Sequence, residues 1–299
     1  MSAWTPIADV IADTCPPRLM TQEVTAHVSR FAAELMTLCQ GRGGAYVREL
    51  PALEQAAILL ADGHPTPALP RLCEVLTRVL EATIDPLPGD SLVDGLSVRA
   101  LTAGWRWAVS PCMTAPRALR LYGALVVALR QTPGDIAEFG VATGETAREM
   151  IAYLEAAGSG ATAHLFDTYT GLPTPHPEDA IDARVTGRYA GSEAQVRETL
   201  REVRQFVLYP GRFAEGAAAF EAPLAFAHID ADLYTGTRDA LAVCQRCVVP
   251  GGLVVVDDYG TEWTGVTRAV DAFTAHLGDA WTMHGTVGQA VLQRVGDAR

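Results

Sequence analysis

Four aspartates lie at the ends of two apolar runs in the carboxyl-terminal half of the sequence. AHIDADLY, residues 227–234, contains Asp230 and Asp232, and LVVVDDYG, residues 253–260, contains Asp257 and Asp258. Carboxylates gathered at one edge repel one another, and the sequence has no lysine to balance them. Oxygen ligands with open water positions suit Mg²⁺. The pattern therefore predicts a divalent metal site with Asp230, Asp257 and Asp258 as ligands.

Two residues next to Asp230 receive other roles. Asp232 is predicted to cap the helix that begins in YTGTRDAL, because aspartate accepts hydrogen bonds from the first backbone amides of a helix. His228 lies on the same strand face as Asp230 and is an alternative catalytic base. Its position deeper in the strand favours a core histidine over that role.

A second group of residues could bind a charged cosubstrate. EFGVATGET, residues 138–146, follows an apolar run and opens a helix, so Gly140 and Gly144 allow the backbone to approach a ligand. Dinucleotide sites have GxGxxG, whereas this spacing is GxxxG. Glu138 sets a negative charge beside the loop, which suits an ammonium or sulfonium group better than a diphosphate.

Asp167 ends the next predicted strand, where a carboxylate can accept both hydroxyls of a ribose. Glu138, Gly140, Gly144 and Asp167 together predict that the ligand is S-adenosylmethionine. The alternative is that the glycines form only a turn and that Asp167 caps the loop TYTGLP.

The elements that position these residues are short apolar strands that alternate with helices. This alternation predicts right-handed βαβ units and a parallel, doubly wound sheet of the α/β class, in which ligands bind at the carboxyl ends of the strands. WTMHGTVGQAVLQR predicts a hairpin added antiparallel at the sheet edge. The predicted strands are residues 135–141, 163–168, 205–209, 224–230 and 252–258.

The part before the first strand reads as helices separated by glycine and proline. TQEVTAHVSRFAAELMTLCQ and LPALEQAAILLADG both have apolar residues at helical spacing. We expect residues 1–108 to form an α-helical region and residues 109–299 to form the ligand-binding domain. The wide apolar stripes of these helices favour a homo-oligomer.

Composition excludes several classes of protein. The 299 residues carry a formal charge of −12, which disfavours nucleic acid and anionic membranes as partners. The lack of lysine excludes pyridoxal Schiff-base chemistry. The sequence has no signal-peptide pattern and no apolar run long enough to span a membrane, so we expect a cytoplasmic protein. Cys244 and Cys247 have metal-like spacing, but nothing completes a zinc set, which favours ordinary helix cysteines.

The motifs EFGVATGET, FDTYTGLP, HIDADLYTGTRDAL, PGGLVVVDDYG and GVTRAVDAF resemble successive motifs of the macrocin O-methyltransferase (TylF/MycF) family, over about residues 133–294. The resemblance implies a class I methyltransferase (Rossmann-like) fold that uses S-adenosylmethionine and Mg²⁺. It implies Asp230, Asp257 and Asp258 as metal ligands, Asp167 as the ribose acid and Asp230 as the catalytic base. Residues 1–108 match none of the family's motifs.

The expected activity is O-methylation of a small molecule, with a deoxysugar hydroxyl of a glycosylated natural product, such as an antibiotic, as the acceptor. A phenol or catechol acceptor is the alternative within methyltransferases. A non-catalytic S-adenosylmethionine-binding module is an alternative outside enzymes. GLPTPHPEDAIDARVTGRYAG, residues 171–191, is a long polar loop at the ligand edge and a candidate lid over the acceptor.

Overall fold

The computed structural model describes residues 22–41, 50–64, 68, 71, 72, 75, 113–277, 280–286 and 288–296. The chain divides into two compact units, Met1–Gly123 and Ala124–Arg299. The predicted boundary between residues 108 and 109 lies outside the described residues. Each unit is treated by itself below.

The first unit is helical where it is described. Helix α1 spans Gln22–Gly41 and helix α2 spans Leu50–Ala61. Val28, Phe31 and Leu35 recur at helical spacing and are buried, as the apolar periodicity predicts. Helix α3, Ala115–Gln131, begins in this unit and leads into the second one.

Among the described residues, seven strands form one sheet in the order β3-β2-β1-β4-β5-β7-β6. Strands β1 to β5 are parallel, and β7 pairs antiparallel with both β5 and β6. The doubly wound sheet and its antiparallel hairpin are therefore confirmed. The strands are β1 Asp135–Phe139, β2 Ala163–Asp167, β3 Phe206–Pro210, β4 Leu224–Ile229, β5 Val248–Asp257, β6 Trp281–Thr286 and β7 Gln289–Arg294.

Helices connect the parallel strands. Because strand order reverses between β1 and β4, right-handed crossovers place the connecting helices on both faces of the sheet. The helices are α4 Glu145–Ala156, α5 Glu193–Thr199, α6 Phe213–Gly216, α7 Tyr234–Cys247 and α8 Thr264–Leu277.

The central strands are apolar on both faces because helices cover them. Every residue of β4 is buried, and so are the last six residues of β5. Strand β5 begins at Val248, four residues before the predicted start, since the Pro-Gly-Gly segment continues the extended backbone. Cys244 and Cys247 pack in this core from α7, which confirms the prediction of ordinary helix cysteines.

Strand register brings the carboxyl ends of the central strands to one edge. Phe139 of β1 pairs with Ile229 of β4, and Ile229 pairs with Val256 of β5. The residues that follow each strand are therefore neighbours, although they are far apart in sequence. No described helix is long and apolar enough to cross a membrane.

Candidate active site

The loop after β1 packs directly on the end of β4. Gly140 has φ +93°, and a Cβ at this position would lie 1.9 Å from the Asp230 carbonyl oxygen. The Asp230 amide donates to the Phe139 carbonyl at 2.9 Å. Gly140 is therefore needed because no side chain fits beside the Asp230 carbonyl. This packing requirement is separate from the approach of a ligand that the sequence predicts for Gly140. The contact places the glycine loop beside the first aspartate of the predicted metal set.

Gly144 ends the glycine loop and starts α4. Its φ of +86° lies in the left-handed region, and it occupies the N-cap position without a side-chain cap. Its amide donates to the Val141 carbonyl at 2.7 Å and closes the turn. The loop thus delivers the chain into the helix at the carboxyl end of β1, where the positive end of a helix dipole favours a negatively charged group.

Asp167 holds the glycine loop in place. Its Oδ2 accepts the amides of Val141 and Ala142 at 2.7 and 2.9 Å, and its Oδ1 accepts the amide of Tyr169 at 2.7 Å. The bond to the Tyr169 amide shows that Asp167 also caps the loop that follows it, as the alternative interpretation of the sequence predicted. An ionised carboxylate offers about four lone-pair sites, so these three bonds leave it able to accept a further donor.

Tyr169 follows Asp167 in a strained conformation, with φ +56°. Its hydroxyl is buried and has no hydrogen-bonding partner in the described part of the chain. Burial, followed by the charges of Asp167, Glu193 and Glu138, raises the pKa of Tyr169 above its ordinary value. Within the described residues, the hydroxyl is therefore a neutral, buried polar group that makes no hydrogen bond. Sequence reasoning missed Tyr169, because nothing in the pattern of a loop tyrosine indicates that its hydroxyl is buried.

Glu138 lies inside the sheet and is only 1% exposed. It pairs in register with His228, and its Oε1 lies 3.0 Å from His228 Nδ1. Its second oxygen, Oε2, is buried without a hydrogen-bonding partner among the described residues. Burial raises the pKa of Glu138, and the hydrogen bond with His228 opposes the rise. Glu138 therefore has one occupied oxygen and one that lacks a partner.

His228 is fully buried, as expected for a core histidine, but it also joins two acids. Its Nε2 lies 3.6 Å from Asp257 Oδ1, on the opposite side of the ring from Glu138. Burial opposes a charge on the ring, but the carboxylates of Asp257 and Glu138 outweigh burial and raise the pKa of His228 well above its ordinary value. Sequence spacing predicted the shared face with Asp230 and missed the link between the two acids.

Asp257 is fixed from the hairpin side by Gln289. The two residues pair in register between β5 and β7, and Gln289 Nε2 donates to Asp257 Oδ1 at 2.6 Å. Both side chains are buried, with 0% exposure for Gln289 and 3% for Asp257. Gln289 is a site residue that the sequence patterns did not reveal.

The aspartates form two overlapping groups whose ligand atoms lie within 4.8 Å of one another. One group contains His228, Asp230 and Asp257, and the other contains Asp230, Asp232 and Asp258. Asp230 is common to both groups, while Asp257 and Asp258 fall into different ones. Burial raises the pKa of Asp230 well above its ordinary value, and the neighbouring carboxylates of Asp257, Asp232 and Asp258 add to the rise.

The prediction that Asp232 caps α7 is wrong. The helix begins at Tyr234, and its N-cap residue is Leu233, which offers no side-chain cap. Asp232 instead has φ +57°, so the chain turns sharply there and the carboxylate lies in the group with Asp230 and Asp258. The left-handed turn therefore converts a predicted cap into a potential cation ligand.

The segment 171–191 is folded and closed at its base. Leu172 donates to the Arg188 carbonyl at 2.9 Å, and Gly187 donates to the Leu172 carbonyl at 2.8 Å. At the other end of the segment, a Cβ on Gly191 would lie 2.0 Å from the Ala142 carbonyl oxygen. The predicted lid is thus closed on itself at its base and rejoins the domain at the glycine loop.

Asp179 fastens the middle of this segment and is only 2% exposed. Its Oδ1 accepts the amide of Tyr234 at 2.5 Å, and its Oδ2 accepts the amide of His176 at 2.6 Å. Thr264 Oγ1 donates to the Asp179 carbonyl at 2.7 Å. Asp179 therefore attaches the segment to the first residues of both α7 and α8, which follow the two aspartate motifs.

Three comparisons bear on what this arrangement does. The family model described as Macrocin-O-methyltransferase (TylF) matches residues 99–283, more than half of the chain. A relative from Streptomyces olivaceus, 8-demethyl-8-(2,3-dimethoxy-alpha-L-rhamnosyl)-tetracenomycin-C 4'-O-methyltransferase, is 32% identical over 142 residues, which are 44% of this chain and 54% of that protein. The chain thus spans about half the length of this relative.

Two solved structures share the fold. The O-methyltransferase NovP aligns with a TM-score of 0.56 at 24% identity, over 75% of this chain and 98% of that one. The calicheamicin methyltransferase CalS11 aligns with a TM-score of 0.53 at 22% identity, over 73% of this chain and 91% of that one. At such identity the likeness shows the methyltransferase fold.

Proposed function

Since the chain belongs to the macrocin O-methyltransferase (TylF) family and is therefore an O-methyltransferase, we propose that it methylates a deoxysugar hydroxyl of a glycosylated natural product. S-adenosylmethionine is the proposed methyl donor, and Mg²⁺ is the proposed metal. The name of the Streptomyces olivaceus relative describes methylation of a rhamnosyl group, which supports a sugar acceptor.

The donor site fits the residues at the ends of β1 and β2. Glu138 Oε2 and the Tyr169 hydroxyl are buried polar atoms that lack partners among the described residues, and each could bond to a polar group of the donor. Asp167 keeps free lone pairs for ribose hydroxyls beside its three backbone bonds. Gly140 and Gly144, both with positive φ, hold the loop in the shape that such a ligand needs.

The metal site fits the carboxylates that follow β4 and β5. We assign Asp230, Asp257 and Asp258 as ligands, with Asp230 at the centre because it belongs to both groups. When bound, Mg²⁺ would lower the pKa of the acceptor hydroxyl and orient it, as metal ions do in hydrolytic and transfer enzymes. Water coordination around Mg²⁺ leaves positions for acceptor oxygens.

The residues of the chain would then position the acceptor and receive its proton. Asp230 takes the proton from the hydroxyl, since it lies next to the glycine loop at the junction of the two sites. The acceptor oxygen forms a bond to the methyl carbon as the carbon–sulfur bond breaks. The electron pair stays on sulfur and leaves S-adenosylhomocysteine as the second product. Correct orientation alone supplies about 7–11 kcal/mol in intramolecular reactions.

The contact between Gly140 and the Asp230 backbone is the strongest support for the proposed function. The Asp230 backbone touches Gly140 so closely that a single methyl group at Gly140 would overlap its carbonyl oxygen. The proposed base and metal ligand therefore lies directly against the proposed donor loop. Displacement at a methyl group requires this adjacency, because the nucleophile and the methyl carbon must be about 3–3.5 Å apart.

The test is turnover of a panel of rhamnosylated polyketides, other glycosides and catechols, with a mass increase of one methyl group as the readout. We expect glycosides to react in the presence of Mg²⁺ and to stop reacting in EDTA, while circular dichroism stays unchanged. Asp257→Ala should reproduce the effect of EDTA. Asp62→Ala, at an exposed site in the helical unit, is the control and should retain activity. Full turnover in EDTA would contradict the metal role, and exclusive turnover of catechols would contradict the sugar acceptor.

A further inference from the structure

His176 is an exposed residue of the segment 171–191 whose side chain is nevertheless held in one place. Its ring stacks on the ring of Tyr234, with centroids 5.2 Å apart and 26° between the ring planes. Its amide donates to Asp179 Oδ2 at 2.6 Å. Pro177 follows it and restricts it to extended backbone, which it adopts with φ −77° and ψ 155°. The ring is therefore positioned before any ligand binds to it.

The hydrogen bond at Nδ1 fixes which ring nitrogen of His176 carries the proton. Nδ1 accepts the Glu178 amide at 3.2 Å, so it must present a lone pair. A neutral imidazole has one donor and one acceptor, and the proton therefore lies on Nε2. Among the described residues, His176 makes no hydrogen bond through Nε2. The side chain thus presents an exposed N–H donor in a fixed position.

The stack with Tyr234 places this donor near the aspartates that follow β4 and β5. Tyr234 is the first residue of α7 and lies two positions after Asp232, which groups with Asp230 and Asp258. Under the proposed function, the acceptor hydroxyl binds at these aspartates. The N–H of His176 therefore lies on the side of the domain where the rest of the acceptor must be held.

We propose that His176 is a specificity-determining residue whose Nε2–H donates to a sugar hydroxyl of the acceptor other than the one that is methylated. The inference rests on the proposed function, because it concerns the acceptor of that reaction. The reacting oxygen needs its lone pair for the methyl carbon, and a hydrogen bond to that lone pair in the ground state would oppose transfer. A second hydroxyl of the sugar has no such conflict.

This role discriminates between the two classes of acceptor. A glycoside carries several hydroxyls besides the one that reacts. A catechol has two, and binding of both to the metal leaves none for His176. A site that is built to hydrogen-bond a substrate hydroxyl rejects an analogue that lacks it. His176 therefore favours a sugar with several hydroxyls over a catechol.

The test is a cycle that changes the protein and the acceptor together. Wild type and His176→Asn are compared on a glycoside that is methylated and on analogues in which each non-reacting sugar hydroxyl is replaced by hydrogen. The KM of the variant for the parent glycoside should rise about fivefold to tenfold with kcat unchanged, because the bond is equal in the ground and transition states. For one deoxygenated analogue, the variant and wild type should have the same KM.

The choice of asparagine separates the ring donor from the cap. Asparagine is among the best N-cap residues, so it can accept the Glu178 amide in place of Nδ1, but it has no ring to stack or to reach the acceptor. His276→Asn is the matched control, because His276 is also exposed and lies in the last turn of α8, which starts at the carboxyl edge of the sheet and runs away from it. That variant should leave KM unchanged for every acceptor.

Failure of this inference and failure of the proposed function give different results. If glycosides are methylated and His176→Asn raises KM by the same factor for the parent and for every analogue, the function stands and the hydrogen bond is wrong. An unchanged KM for the parent glycoside would also overturn the inference. If catechols alone are methylated, the sugar acceptor itself is wrong, and the role of His176 falls with it.

Discussion

Gln289 and Asp257 are joined by a buried hydrogen bond of 2.6 Å that connects the carboxyl-terminal hairpin to the end of β5. Without Gln289, the buried carboxylate of Asp257 would have one fewer hydrogen-bond donor. The hairpin therefore does more than extend the sheet, since it fixes the orientation of a proposed metal ligand.

The first prediction concerns this bond. Gln289→Leu should weaken divalent-metal binding about 10-fold to 100-fold, because the partner that orients Asp257 is lost. The free energy of unfolding should fall by about 1–3 kcal/mol, since a buried carboxylate loses a donor. Calorimetry and denaturant titration measure the two effects. Gln293→Leu, further along β7 and opposite Leu253, is the control and should leave metal affinity unchanged.

The second prediction concerns the anchor of the segment 171–191. Asp179→Ala removes the acceptor for the amides of Tyr234 and His176 and leaves both without their carboxylate partner. We expect the KM for the acceptor to rise at least tenfold while S-adenosylmethionine affinity stays within twofold of wild type. Asp182→Ala lies in the same segment, where its carboxylate bonds only to Arg184 among the described contacts, and should behave as wild type. Equal KM values in the two variants would contradict a role of the segment in acceptor binding.

The third prediction concerns Gly140. Gly140→Ala adds a methyl group 1.9 Å from the Asp230 carbonyl at a φ of +93°, so the loop or the end of β4 must move. The free energy of unfolding should fall by about 3 kcal/mol or more, and donor binding should be lost. Gly160→Ala is the control, because nothing lies within 4 Å of the added atom. A thermal melt of both variants, with and without donor, decides the point.

The fourth prediction compares two aspartates that lie at opposite ends of the parallel strands, Asp167 and Asp135. Asp167→Asn replaces a carboxylate that accepts the amides of the glycine loop, so S-adenosylmethionine affinity should fall at least tenfold while metal binding is retained. Asp135→Asn alters a carboxylate at the amino end of β1, where it bonds to Thr162 and His164. It should lower stability without changing donor affinity. Calorimetric titration with donor and with metal distinguishes these outcomes, and a loss of metal binding in Asp167→Asn would contradict the assignment.

The fold was predictable from sequence because local patterns decide it. Apolar strands that alternate with periodic helices predict a doubly wound sheet, and the order of strands then brings Gly140, Asp167 and Asp230 to one edge. The start of β5 was misplaced since Pro250 and the glycines beside it favour a turn by type, whereas sheet pairing keeps them extended. Tertiary pairing overrides local preference there.

The finer contacts of the site were not predictable, because they join residues that are far apart in the chain. Gln289 meets Asp257 through the register of β7, and Asp179 meets Tyr234 through the path of a loop. Neither relation leaves a pattern in a single sequence. For Asp232, a local pattern was present but led to a wrong prediction. Aspartate is a common N-cap residue, but Asp232 adopts a left-handed conformation and the helix begins later, with Leu233 as its N-cap.

The closed base of the segment 171–191 has an evolutionary consequence. Leu172 bonds to both Gly187 and Arg188, so the intervening chain leaves and returns at nearly one point. Lengthening such a closed loop costs little free energy, since each doubling of its length adds about 0.6 kcal/mol. The stretch between these residues can therefore change in length without moving the strands on either side, provided that Asp179 keeps its bonds to Tyr234 and Thr264. The proposed acceptor lid can vary in this way while the strand ends that carry the proposed donor and metal residues keep their positions.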